Sequence, residues 1–559
     1  MTTTPLVTNS SPAVGGVQTV RRVIMYILLI TMVCIAASGL SGLLERLFTA
    51  SRVTVNYDNF GLAFALASAL IAGPLAAVLW WLIWRDSASA KDRASVAWAV
   101  YLIIMSTVAF LVFTIALFLW AADAIAGHAE PTGLAVGIVW GLVWLWHFWM
   151  WHHPRKGPTR LPVAAPAIAS LISLAFAAGG LVWVLAGLID AIIDTLSSAI
   201  VVGSPIGVTV AQSLVWVIGG GLLWWWHWFA MGLRSRDTGF ANVLLVFITG
   251  FASLALLAWG LTFTLSVILR LVTDPSAHLA ATLDPLGFAV ASALVGALVL
   301  VFHLRVVASR ATGVRTAHHL VSSGVSLVYA ASGLGITVNA LLAASTTSLI
   351  DGEIRPLLLN GISAMIVGGV IWWLTWRPLA ASQPERVATP GRRIYLIIIF
   401  GLSAIVALIT LLVIGFQLFS MMLDGGGTFL ERSRQAIGLL TATVLVATYH
   451  FVIWRRDRAS DVVHETSRRI ERITLVTHSA GRELVDAVRA STGARVSVLQ
   501  REEAARAAGG AQSNGAAQGE QEAAALAATV VAALDGVEAG HLLVVVGEKS
   551  RVEVIRLVN

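Results

Sequence analysis

The stretch RRVIMYILLITMVCIAASGLSGLLERLF, residues 21–48, decides what kind of protein this is. Two arginines lead it, and from Val23 to Leu44 no side chain carries a charge. At about 1.5 Å per residue, such a run crosses a hydrocarbon core of about 30 Å as one helix. Lipid offers the backbone no hydrogen bonds, so a helix, which pairs its amides internally, is the form this run takes. A cleaved secretory signal has a shorter apolar core and a small-residue exit. This run continues to Phe48 and reads as an uncleaved first span. Cys34 is the only cysteine, which excludes an intramolecular disulfide, and Val33 before it spoils a lipoprotein site.

Eleven more runs of the same kind follow. The twelve spans read as 22–48, 62–84, 96–122, 133–151, 163–190, 208–231, 239–270, 286–306, 318–346, 357–376, 392–420 and 435–454. Across all 559 residues, 57% are apolar and only 12% charged, with a mean hydropathy of +0.83. A water-soluble chain carries about 25% charged residues, so a string of soluble domains is excluded. Short alternating segments of a membrane barrel are missing from the pattern. The fold expected is a polytopic all-α transmembrane bundle.

The spans repeat in pairs. Odd-numbered spans begin near residues 22, 96, 163, 239, 318 and 392, and even-numbered ones close on aromatic clusters followed by base. Those exits are WWLIWRD (80–86), WLWHFWMWHHP (144–154), WWWHWFAMGLRSR (224–236), VFHLR (301–305), WWLTWRP (372–378) and YHFVIWRRD (449–457). Aligned, they place Leu82, His147, His227, His303, Leu374 and His450 at one position. The opening RRVIMYILLI (21–30) returns as RRIYLIIIFG (392–401), in the other half of its unit, so the hairpin is the smaller repeat. The expectation is six tandem hairpins in three four-helix units at 21–154, 155–310 and 311–458, after a flexible N-terminus at 1–20.

Charge gives the orientation. Loops after even spans, with the N-terminus, hold 20 Lys/Arg, and loops after odd spans hold six. That bias places the first group, and both termini, in the cytoplasm. The outer loops carry 12 acidic residues against those six bases. The net charge of +7 lies wholly in the membrane part, because the tail from Thr466 has 11 basic and 11 acidic residues. A nucleic-acid partner calls for a basic footprint that this balance does not supply.

Residues 459–559 read as a small cytoplasmic α/β domain in the order β-α-β-α-β-β. The strands are IERITLVT (470–477), ARVSVLQ (494–500), HLLVVVG (541–547) and RVEVIRL (551–557). Helices fall over 480–491 and 520–535. The Ala, Gly, Gln, Ser and Asn of 505–519 cannot bury much and predict a mobile insert. LVTHSAGRELVDAV (475–488) sets Ser479 between strand and helix like a hydrolase elbow. Thr477 stands where that motif needs glycine, and Ser479 reads as a helix cap. Glycines near 509 lack the Lys-Ser/Thr of a phosphate loop.

Transport routes are marked by polar groups at mid-membrane depth, and this chain has few. Asp123, Asp190, Asp194, Glu45 and Arg46 lie at span ends, Gln212 and Gln417 near them, and Asn339 deeper. The glycines of 219–221 and 365–369 serve close helix packing or, alternatively, a gate. His147, His227, His303 and His450 are the candidate cofactor residues, since neutral imidazole can hold haem. Their place beside Trp, Phe and Arg favours an interfacial structural role instead. Trp80, Trp81 and Trp84 repeat as Trp372, Trp373 and Trp376, an anchoring belt that also offers flat faces to a quinone or lipid.

With its Arg-Arg-led opening, paired helices and Trp/His exits before Arg, the chain resembles the bacterial DUF5671 family of multi-span membrane proteins across residues 21–458. That family is of unknown function, so the resemblance implies no functional residues. The reading is a non-enzymatic scaffold or assembly protein of the bacterial inner membrane, with no catalytic or metal site and no cofactor predicted, the four histidines standing as haem candidates. Its partners would be membrane lipids, a protein at the cytoplasmic tail, and other subunits of a homo- or hetero-oligomer. The alternative is a transporter or channel for a small or lipid-like solute. A haem- or quinone-linked redox protein comes third.

Overall fold

The computed structural model describes residues 12–50, 59–87, 89–197, 205–274, 279–346, 354–380, 390–424, 428–467, 470–477, 482–500, 526–534, 537, 539–547 and 551–557. Among these, twelve helices are long and apolar enough to cross a membrane. They are α1 (Thr19–Thr49), α2 (Asn59–Asp86), α3 (Val96–Ile125), α4 (Pro131–His152), α5 (Ala164–Leu196), α6 (Ile206–Ala230), α7 (Gly239–Thr273), α8 (Leu279–Ala308), α9 (Thr312–Ser345), α10 (Ile354–Leu379), α11 (Gly391–Leu423) and α12 (Phe429–Arg458). Helical geometry reaches back from α1 to Pro12, into the stretch expected to be flexible. The chain divides into two compact units, Met1–Thr448 and Tyr449–Asn559, so α12 crosses the division.

In the first unit, α3 packs on α4, α5 on α6, α7 on α8 and α9 on α10, while α1 also touches α4, α5 touches α8 and α7 touches α10. Lipid gives helices no hydrophobic reason to associate, so small residues that permit close approach decide these contacts. A Cβ on Gly220 would lie 2.5 Å from the Ala177 nitrogen, and one on Gly260 2.4 Å from that of Ala293. The α9–α10 crossing is as tight, since a Cβ on Gly368 would fall as close to the Ala330 nitrogen. These positions therefore settle as packing contacts. Gly221 and Gly369, beside them in sequence, face open space.

Polar side chains tie helices together. Gln212 donates to the Ala122 carbonyl at 3.0 Å, Tyr329 to that of Ala255 at 3.1 Å, and Thr132 to the Glu45 carboxylate at 2.6 Å. Asn339 lies where α9 meets α12, at the Gly335–Gly438 contact, and its side-chain oxygen has no hydrogen-bond partner among the described residues. Asp190 packs against Gly287 of α8. Three spans contain π-helical turns, at Ser68–Ala72, Trp226–Ala230 and Phe247–Ala252.

The second unit carries a four-stranded sheet in the order β2-β1-β3-β4: β1 Ile470–Thr477, β2 Arg495–Gln500, β3 Ala539–Val546 and β4 Val552–Leu557. β1 pairs parallel with β2 and β3, and β3 antiparallel with β4. Helix α13 (Arg482–Thr492) and a helix α14 over 526–534 supply Leu484, Val488, Val530 and Leu534 to a core with Ile473, Leu475, Leu542 and Val544. Ser479 and the insert at 505–519 lie outside the described residues.

Candidate functional site

The aromatic exits resolve into two populations. Trp81, Trp149, Trp225 and Trp373 are exposed on the bundle surface, where an indole sits at the headgroup level. Trp151, Trp228 and Trp376 are buried and belong to the bundle's packing. A base four residues on covers the exposed ring in two exits: Arg85 lies 5.1 Å over Trp81 and Arg377 5.4 Å over Trp373. Arg458 repeats the arrangement over Trp454 at 5.5 Å. One helical turn separates the partners, so the cation reaches back onto the ring face, a contact of about 0.5–1 kcal/mol at an exposed site.

The four candidate histidines are all buried, with exposures of 0% for His147 and His450, 1% for His303 and 2% for His227. Of the leucines aligned with them, Leu374 is 57% exposed and Leu82 half-buried. Leucine suits a lipid-facing surface, whereas an imidazole must find partners inside. His147, His227 and His303 do so alike, each Nδ1 bonding the carbonyl four residues back at 2.8 Å, on Val143, Leu223 and Val299. That bond makes Nδ1 the donor and leaves Nε2 as an acceptor. At His147 the acceptor is filled by the Tyr101 hydroxyl at 3.0 Å. Iron could bind His147 only by displacing one of these two bonds. His227 meets the rings of Phe110 and Trp226, and His303 those of Trp224, Trp228 and Phe302. These contacts place His227 and His303 each among aromatic rings. Among the described residues, no group of three or more metal-ligating side chains comes together.

A lateral cleft of about 670 Å³ opens between α1, α2 and α4. Val33, Ala37, Leu40 and Leu44 form its floor, with Ala76 and Ala77 on one wall and Val139 and Leu142 on the other. Trp80 and Trp146 close one end, their rings edge to face at 5.4 Å. Trp80 is held there by a bond from its Nε1 to the Met150 sulfur at 3.1 Å. Among the described residues, none that lines the cleft is charged. Its volume is that of a small-molecule site, and its chemistry suits a hydrocarbon.

On the α/β domain, one face of the sheet is packed under helices, and no helix among the described residues covers the other. The packed face carries Ile473, Leu475, Leu542 and Val544. Alternation along each strand turns the intervening residues to the opposite face. Register there sets Arg472 beside Arg495 and His541, then Thr474 beside Ser497 and Leu543, then Val476 beside Leu499 and Val545. β4 adds Leu557, Ile555 and Glu553 to the same three rows. Leu499 is 57% exposed, and Ile555 and Leu557 are exposed as well.

A family model matches the chain twice, over residues 22–142 and 316–445. The match is to DUF5671, a domain of unknown function. The first DUF5671 stretch takes in α1 to α3 and the start of α4, and so contains every wall residue of the cleft except Val143 and Trp146. The second covers α9 to α11 and most of α12, including the α9–α10 glycine crossing. His147, His227, His303 and His450 fall outside both DUF5671 stretches. No curated protein and no solved structure matches the chain.

Proposed function

We propose that this protein is an integral membrane scaffold that displays its α/β domain as a protein-interaction module. The observation that carries this reading is the sheet face that no described helix covers, because apolar side chains such as Leu499, Ile555 and Leu557 gain by being covered. A photo-crosslinking side chain at Ile555 or Leu499, in the full-length protein in its membrane, is expected to give discrete adducts with a partner protein. The same probe at the core position Val544 is expected to give none. Equal labelling from all three positions would end the proposal.

Two matches to one family model, at 22–142 and 316–445, support the first and third of three four-helix units made of six hairpins. The excess of Lys and Arg on one set of loops supports cytoplasmic termini in a bacterial inner membrane. The balanced charge of the tail favours a protein over a nucleic acid as its partner. A homo- or hetero-oligomer built on the membrane part fits the same role.

The cleft favours a second reading, in which the membrane part takes up a lipid-like molecule for binding or passage. Ala77 lines the cleft and is itself exposed, so Ala77→Phe fills space without disturbing the packing behind it. Native mass spectrometry of the gently purified protein is expected to show a bound lipid-like species whose occupancy falls several-fold in that variant. Unchanged occupancy would remove the cleft from the account.

A further inference from the structure

Where α3, α4, α5 and α6 meet, a cavity of about 20 Å³ is lined by Ser106, Thr107, His152 and His227 among the aromatic rings of Trp144, Phe148 and Trp151. One water needs about 10–15 Å³ and two to four polar partners. The space therefore admits a single water and nothing larger. Ser106 Oγ and Thr107 Oγ1 are buried and have no hydrogen-bond partner among the described residues. Other helical hydroxyls, such as those of Thr114, Ser173 and Thr249, bond the carbonyl four residues back instead. Both histidines commit Nδ1 in that manner, His152 to Phe148 at 2.9 Å and His227 to Leu223 at 2.8 Å. Each keeps Nε2 as an acceptor.

We propose that this niche binds one ordered water that joins His152 to His227. The water donates to the two Nε2 atoms and accepts from the Ser106 and Thr107 hydroxyls, which uses all four of its hydrogen-bonding positions. The widened turn at Trp226–Ala230, closed by a bond from the Met231 amide to the Trp226 carbonyl at 2.9 Å, carries His227 at this meeting point. His152 is exposed, so the water links a buried imidazole to the basic end of the bundle. His227 thereby exchanges protons with solvent, which His147, bonded to Tyr101, does not.

The test uses the full-length protein in nanodiscs, labelled with ¹⁵N-histidine, and solid-state NMR that transfers magnetisation from water. The His227 signal, assigned by its loss in His227→Gln, is expected to receive water magnetisation, while the His147 signal receives none. Ser106→Leu, which fills the niche, is expected to abolish the transfer at His227 and leave it at His152. Transfer to neither buried histidine in the unmodified protein would overturn the proposal, and so would persistence of the His227 transfer in Ser106→Leu. The comparison of His227 with His147 decides the matter without Ser106→Leu, should that variant fail to fold.

Discussion

Gly368→Ala is expected to lower the yield of folded protein sharply, whereas Gly369→Ala, one residue along the same helix, is expected to leave it unchanged or raise it. A Cβ on Gly368 would stand 2.4 Å from the Ala330 nitrogen and 2.8 Å from the Tyr329 carbonyl carbon, both rigid backbone atoms. Neither can turn aside, so α9 and α10 must separate, and the contacts around the crossing loosen together. Overpacking of this kind costs about 1–3 kcal/mol, and more where backbone is the obstacle. Gly369 faces open space, and alanine within a helix gains roughly 0.5–1 kcal/mol over glycine. Thermal midpoints of the two variants, read by fluorescence-detected size exclusion, should shift in opposite directions. A shift of the same sign and size in both would mean that the crossing is not the close contact described.

Tyr101→Phe carries the second large effect. It removes the hydroxyl that bonds His147 Nε2 and leaves an imidazole acceptor unpaired at a fully buried site. Leaving such a group unsatisfied costs about 1–3 kcal/mol. His147→Leu in the unmodified background strands the tyrosine hydroxyl in the same way. With both partners replaced, neither penalty remains, so the double variant should lie closer to the unmodified protein than the sum of the single changes. The Tyr101 ring also stacks on Trp98 and Tyr26, at 5.5 and 5.3 Å between centroids, and phenylalanine preserves those contacts. Strict additivity in the double-mutant cycle would show that the two side chains do not interact.

The twelve spans are legible in the sequence because hydropathy over about 20 residues is the quantity a bilayer selects. The exits were legible as composition but not as chemistry. Aligning WWLTWRP with WWHWFAM (225–231) sets Leu374 against His227, yet one faces outward and the other lies in the bundle. Helix orientation about its own axis is fixed by neighbouring helices, and no single strand of text contains it. In the tail, the run LLVVV at 542–546 reads like a strand buried on both faces. Leu543 and Val545 are in fact only partly covered, since the core helices lie over Leu542 and Val544. The cavity at His227 depends on four helices meeting, with residues as distant as Ser106 and Met231. Proximity of that kind has no trace in local pattern.

The π-helical turns have a consequence for how the repeats are to be compared. Each such turn accommodates one residue more than an α-helical turn in nearly the same rise. Everything beyond it is therefore rotated by about 100° relative to an uninterrupted helix. Trp226–Ala230 ends one exit in this way, while α10 runs through Trp372–Trp376 without such a turn. Two hairpins with matching letters can thus present different faces, and a one-residue gap placed at the bulge is the correction that restores their correspondence. Deleting a single residue from the turn at Phe247–Ala252, which lies inside α7, would act as a twist rather than a shortening, turning the side chains of Ser253–Thr273 by about 100° around the helix.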